Sequence, residues 1–250
     1  MTNNKMDAEF DDVAGWTAAA VDRLGAEYAI PAACRGSASP SALAWLAESC
    51  GLSPGTTLLD LGAGVGGPAA WAHLRYGVRP ILVDPMPGAC RSAAHLFGLP
   101  VVAADGLSVP LRTASIDAAW CLGVLCTVTD KRALLDELHR MVRPGGHLGL
   151  LVLVAETTDL DPVPEGNAFP VQAELTAVLD HAGFELVEQI DDPGNTPATW
   201  TRRTDEVDRL IREEHADDKA YQESEEQGRR MNHLLSTGQV STQLVHALRR

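Results

Sequence analysis

The residues best able to do chemistry lie in one run, Leu58-Leu59-Asp60-Leu61-Gly62-Ala63-Gly64-Val65-Gly66-Gly67-Pro68. An apolar strand runs into a glycine-rich turn, and a helix starts near Pro68, a residue suited to the first helical position. Glycines permit the tight turn and let a ligand approach the backbone, while N–H groups at the helix start face that ligand. Asp84 follows the strand-like Pro80–Val83 and stands twenty-two positions after Gly62. That is close to the roughly 20 expected for an acid holding a ribose hydroxyl pair. Gly62, Gly64 and Gly67 also satisfy the dinucleotide spacing G-x-G-x-x-G, so the loop points to an adenosine cofactor before it says which one. Asp60 discriminates: a carboxylate at the strand end repels a pyrophosphate and suits the positive amino group of an amino-acid cofactor.

The elements that must position these residues follow from periodicity. Short β-type runs at Thr57–Leu61, Pro80–Val83, Val101–Ala104, Ile116–Cys121 and His147–Val154 alternate with helical patterns, which is the mark of βαβ units and a parallel sheet. One helix carries Leu134, Leu138, Met141 and Val142 on a single stripe and stops at Arg143-Pro144-Gly145-Gly146, because Pro cannot donate into the helix ladder. A second carries Leu175, Val178, Leu179 and Ala182 and ends at Gly183. Strands Phe184–Ile190 and Val240–Leu248 then form one edge of the sheet. The chain divides into a helical cap (1–54), a cofactor-binding core (55–192), a helical insert (193–239) and a last strand (240–250), read together as one domain. Arg35-Gly36-Ser37-Ala38-Ser39-Pro40 interrupts the cap.

Taken together, these motifs resemble the class I S-adenosylmethionine-dependent methyltransferases, particularly their small-molecule branch. Asp60–Gly67 is similar to the family's first motif, acid-x-G-x-G-x-G, and Asp84-Pro85-Met86 to its second. Ala103–Leu111 resembles the third, Ser115–Cys121 the fourth, and Leu138–Leu148 the helix-turn-strand that follows. The resemblance covers about Thr56 to Ile190. It implies a Rossmann-like α/β fold with a seven-stranded sheet and an antiparallel last strand. It also implies that Asp60, Gly62, Ala63 and Gly64 hold the cofactor, mainly through backbone. Asp84 would take the ribose, with Pro85 and Met86 beside the adenine. Asp105 and Gly106 would address the adenine, and Cys121 would line the cofactor's other side. Many relatives read V-L-x-H after the fourth motif. This chain reads Val124-Leu125-Cys126-Thr127, and a thiol is a poor proton acceptor unless its pKa is lowered.

Methyl transfer is a displacement from a sulfonium that already leaves well, so the protein supplies proximity and orientation, and a base only when the acceptor carries a proton. The site lies beyond the carboxyl ends of the strands. Glu156, just past the fifth strand, is the one candidate base, set against the common reading of a solvated carboxylate. In the cap, Arg35 suits the cofactor's carboxylate, and Tyr28 lies near it. His215, in the insert, is the histidine weighed as facing a substrate, set against the commoner structural reading of each histidine, and the eight show no metal-ligand spacing. The insert reads as a solvated helix with Asp205–Arg209 and Asp208–Arg212 pairs. It reads equally as a substrate lid or homodimer arm with Val207, Leu210 and Ile211 turned inward.

Composition bounds the rest. A formal net charge of −14, with no basic cluster, excludes nucleic acid and an anionic membrane surface as partners and points to a small-molecule substrate. Five cysteines without CxxC spacing fit reduced thiols in a cytoplasm, and no apolar stretch suggests a signal peptide or membrane span. Two rival readings stay open. One is a homologue that keeps the cofactor fold but does non-methylating chemistry. The other is an NAD-dependent oxidoreductase, against which Asp60 and the lack of a Tyr-x-x-x-Lys pair count.

Overall fold

The computed structural model describes residues 4–35 and 38–250, with side chains from residue 10 onward. Two residues of the Gly/Ser/Pro break, Gly36 and Ser37, therefore lie outside the described residues. The cap comprises α1 (Asn4–Leu24), a 3-10 turn (Ala26–Tyr28), α2 (Ala29–Ala33) and α3 (Pro40–Ser49). Helix α3 starts where its sequence dictates: Ser39 Oγ accepts the Ala42 N–H at 3.1 Å and Pro40 takes the first position.

The core runs β1 (Thr57–Leu61), α4 (Gly67–Tyr76), β2 (Arg79–Asp84), α5 (Pro87–Phe97), β3 (Val101–Ala103), β4 (Ile116–Leu122), α6 (Lys131–Met141), β5 (Val142–Ala155), α7 (Gln172–His181) and β6 (Phe184–Asp191). The insert is α8 (Ala198–His215) and α9 (Lys219–Ser236), and β7 (Val240–Arg249) completes the sheet. Seven strands lie in the order β3-β2-β1-β4-β5-β7-β6, with β7 antiparallel to both neighbours. Strand order reverses between β1 and β4, and ligands of open α/β sheets bind at that switch point, outside the carboxyl ends.

One boundary differs from the sequence reading. Arg143–Gly146 was expected to separate helix from strand, yet β5 already pairs at Val142 with Ile116 before the register jumps to Ala118 with His147. The turn residues survive as a bulge inside the strand, with Gly145 at φ 70°.

Both faces of the sheet are covered. Leu134, Leu135, Leu138 and Met141 of α6, with Leu175 and Leu179 of α7, pack on Leu59, Leu61, Leu148 and Leu150. Leu43, Leu46 and Trp71 cover the other face over Leu58, Trp120 and Leu151. Each such fully buried leucine contributes about 1.5–3 kcal/mol of transfer free energy. All five cysteines are buried, and none is in a disulfide. Among the described residues, no helix is long and apolar enough to cross a membrane.

The insert folds back on the cap. Val207, Leu210 and Ile211 bury against Ala20, Val21, Ala29, Ala32 and Tyr221. The expected pairs within α8 give way to this docking. Asp208 shares the inward face and meets Arg35 at 3.0 Å, while Arg209 pairs forward with Glu213 at 2.7 Å.

Candidate functional site

The glycine loop leaves β1 with Gly62 and Ala63 donating to Val83 O at 2.8 and 3.1 Å, which keeps it against β2. Gly62 (φ 73°) also has no room for a side chain, since a Cβ would lie 2.3 Å from Val124 Cγ2. Gly64 (φ 53°) differs: it takes a left-handed conformation, and a Cβ there would meet nothing within 4 Å. Its outer side is an open cradle at the start of α4, beside N–H groups at the positive end of that helix.

Two carboxylates stand behind the cradle, both 2% exposed. Asp84 accepts the Gly64 N–H through Oδ2 at 2.8 Å and the Met86 N–H through Oδ1 at 2.9 Å, so it fixes the loop it serves. Asp60 Oδ2 is buried without a hydrogen-bond partner. Burial, and then the neighbouring Asp84 charge, push the Asp60 carboxyl up to about 7 against the help of an Ala69 backbone hydrogen bond. An unmatched buried carboxylate is costly, and an ammonium group is the partner that would relieve it. The donor set thus fits a cofactor carrying an amino-acid moiety.

The remaining sequence candidates fall into place unevenly. Ala63 is buried behind the loop among Ala69, Leu82 and Ala93. Pro85 is exposed and Met86 half-buried at the mouth of the cradle. Asp105 is exposed, turned by its own loop as Oδ1 accepts the Leu107 N–H at 2.9 Å, and Gly106 backs onto Leu134. Cys121 is fully buried among core side chains, and burial raises its thiol, so its side chain is not a lining group. Only its backbone is left for such a role. Cys126 is likewise buried, its thiol pushed up to about 11, and its carbonyl accepts the Ala168 N–H from the loop after β5. Glu156 is exposed at the carboxyl edge, where Ser241 donates to Oε1 at 2.7 Å.

For three cap and insert side chains the fold shows partners within the chain, the structural alternative the sequence leaves open for Arg35 and His215. Arg35 is paired with Asp208. The Tyr28 hydroxyl donates to Glu206 at 2.9 Å, which raises its phenol. His215 stacks on Trp16 at 4.3 Å and reaches Asp218 at 2.7 Å. Arg23 and Glu214 add another cross-link. The cap and insert pack together, and these polar groups tie one to the other. Sequence reasoning also missed Asp11, which reaches from α1 to the start of α5. Nothing near Asp11 signals this, though a glycine at the second position of α5 is a hint in retrospect. A cavity of about 430 Å³ lies elsewhere, between Pro40, Ser41 and Ala44 of α3, Trp71 and Arg75 of α4, and residues 195–197. It touches none of the loop residues. Among the described residues no group of three His, Cys, Asp or Glu side chains could hold a metal ion.

With this geometry established, comparison with known proteins is informative. Residues 59–150 match the profile of a methyltransferase domain. An O-methyltransferase of Pyrenophora dematioidea is 29% identical over 154 residues, covering 56% of this chain and 58% of that protein. The chain spans about half the length of the first curated relatives it matches, 58%, 44% and 59%. Among solved structures, the 4+2 cyclase SpnF superposes with a TM-score of 0.67 at 21% identity, covering 83% of this chain and 79% of that one. Geranyl diphosphate C-methyltransferase from Streptomyces coelicolor A3(2), in complex with Mg2+, geranyl diphosphate and S-adenosyl-L-homocysteine, gives 0.58 at 15% identity, covering 83% and 78%. At these identities the structural likeness is one of fold.

Proposed function

We propose that the chain is a class I S-adenosylmethionine-dependent methyltransferase, and that it transfers a methyl group from S-adenosylmethionine to a small-molecule acceptor. The observation that carries this reading is the buried, unpartnered Asp60 Oδ2 behind the open Gly64 cradle. Asp60 would hold the cofactor's ammonium, with the backbone of Gly62, Ala63 and Gly64 along the amino-acid moiety. Asp84 would hold the ribose, its carboxylate already fixed beside the cradle by the Gly64 and Met86 N–H groups. Pro85 and Met86 offer apolar contact to the adenine, and Asp105 and Gly106 an acceptor and backbone for its amino group. Cys121 contributes backbone only.

When bound, the cofactor supplies a methyl group on a sulfonium, already activated for displacement. The chain's own residues then have three tasks: to bind, to orient, and to exclude water. The lid formed by cap and insert meets the third. Proton removal is needed only if the acceptor demands it, and Glu156 is the candidate base, held at the strand edge by Ser241. The insert packs on its own chain's cap, which favours a substrate lid over a homodimer arm. Five buried cysteines outside any disulfide and the net acidity support a cytoplasmic enzyme acting on a metabolite and not on nucleic acid.

Calorimetric titration with S-adenosylmethionine and with NADH, on wild type and Asp84→Ala, tests the reading. Micromolar binding of S-adenosylmethionine that weakens in the variant is expected. No heat with S-adenosylmethionine but clear binding of NADH would sink it. A second reading has a specific observation behind it, the likeness in fold to a 4+2 cyclase: a protein that keeps this cofactor fold and does not methylate. Product mass separates the two, since only methylation adds a methylene to the acceptor.

A further inference from the structure

Helix α5 begins directly after Asp84-Pro85-Met86, so its first turn sets where that loop sits. The first N–H groups of any α-helix lack partners inside the helix. Met86, at the N-cap, makes no side-chain cap. The acceptor arrives from α1 instead. Asp11 Oδ1 takes the Gly88 N–H at 2.5 Å and the Ala89 N–H at 3.0 Å, with its negative charge at the positive end of α5.

Two glycines make room for the cap. A Cβ at Gly88 would lie 2.4 Å from Asp11 Oδ1 and 2.6 Å from its Cγ. At Gly67 a Cβ would lie 2.4 Å from the carbonyl carbon of Ala33 and 2.6 Å from Cys34 N. The cap therefore touches the cradle at both sides, α2 on the glycine loop and α1 on the ribose-side helix. His95, near the far end of α5, meets Asp22 of α1 at 2.9 Å, so α1 lies along the whole helix.

We propose that Asp11 is a positioning residue for the cofactor: its carboxylate docks the cap on α5, holds Asp84–Met86 in binding geometry, and so couples lid closure to cofactor affinity. This rests on the reading of the cradle as a S-adenosylmethionine site. Asp11 acts through α5, not on the reacting atoms.

The test is calorimetric titration of the full chain with S-adenosylhomocysteine, paired with hydrogen exchange, on wild type, Asp11→Ala, Asp11→Asn, Gly88→Ala and the Asp11→Ala/Gly88→Ala double variant. Asp11→Ala is expected to weaken binding about tenfold, the scale of one charge-assisted hydrogen bond. Asp11→Asn keeps an acceptor oxygen and recovers most of the loss, which a merely structural role would not require. Gly88→Ala evicts the carboxylate and matches Asp11→Ala. The double variant is no weaker than either single one, because both break the same contact. In Asp11→Ala the α1 amides lose protection while β1 and β4 keep theirs, showing an intact core. Unchanged affinity in Asp11→Ala with α1 released would overturn the coupling, as would α1 amides that stay protected or losses that add in the double variant. Wild type that binds no S-adenosylhomocysteine would overturn the cofactor reading beneath it, and the exchange data would still report separately whether Asp11 docks the cap.

Discussion

The sheet core and the lid above it are held by different physics. In the core, Leu134, Leu135, Leu138 and Met141 lock α6 on strands whose side chains are fully buried. The lid has a smaller apolar seam, Val207, Leu210 and Ile211 on Ala20, Val21, Ala29 and Ala32. Around that seam runs a rim of polar ties: Tyr28 to Glu206, Arg35 to Asp208, Arg23 to Glu214, and His215 stacked on Trp16. Close packing of large side chains makes one arrangement much better than its rivals. Small residues and half-exposed ion pairs hold an arrangement that local opening can undo. A site that must admit a cofactor and then exclude water has reason to use both, a rigid floor and a releasable cover.

The comparison can be broken at three levels. The largest effect belongs to the floor. Leu135→Ala or Leu138→Ala is expected to cost about 2–5 kcal/mol of global stability, read from denaturant unfolding. Leu210→Ala, by contrast, is expected to raise hydrogen exchange in α1 and α8 with the midpoint shifted much less. Equal shifts in both would mean lid and floor unfold as one unit.

The next effect sits where the two meet. Asp60 ionises near 3.8 when unfolded and near 7 when folded. Between those values the folded protein holds a proton that the unfolded chain has released. Its contribution to stability is therefore full below about pH 4 and lost as pH rises through about 7. Cofactor-free wild type should thus lose melting temperature relative to Asp60→Asn from pH 5 to 8. S-adenosylmethionine, bringing an ammonium, should release up to about one proton on binding near pH 6 and progressively less as pH rises through about 7. Titration in buffers of different ionisation enthalpy measures that release. A wild type whose proton count is zero at pH 6 would remove Asp60 as the ammonium's partner.

The smallest effect is expected at the rim. Asp208→Asn, which removes Arg35's partner, should change lid protection by about 0.2–1 kcal/mol, and less in high salt. A larger change would place the ion pair, and not the apolar seam, at the centre of the lid's stability.

What was legible in the sequence divides along the same line. Strand and helix positions in the core came from periodicity, a local property, and so did the run Asp60–Gly67 and its acid Asp84. Even there Arg143–Gly146 reads in the sequence as a turn before a strand, because a bulge is defined by what lies opposite it, here Ile116 and Ala118. Cys121 was placed at the cofactor by its motif, yet which face of β4 its side chain takes depends on the sheet's two layers. In the lid the sequence leaves alternatives open: Arg35 suits a cofactor carboxylate or a surface pair, and His215 a substrate or a structural contact. The fold pairs Arg35 with Asp208, Tyr28 with Glu206 178 positions away, and His215 with Trp16 and Asp218.

By itself, then, the sequence determined the parts whose physics is local: the alternation of strands and helices, the glycines that let the chain turn and expose its N–H groups, and two acids at the strand ends. The tertiary structure alone decided the parts that need two distant surfaces in contact: the burial that lifts Asp60, the folding of the insert onto the cap, and Asp11 at the start of α5. Backbone conformation and hydrophobic period are written residue by residue. Desolvation and side-chain pairing belong to the packed molecule, because each depends on what the rest of the chain has placed alongside.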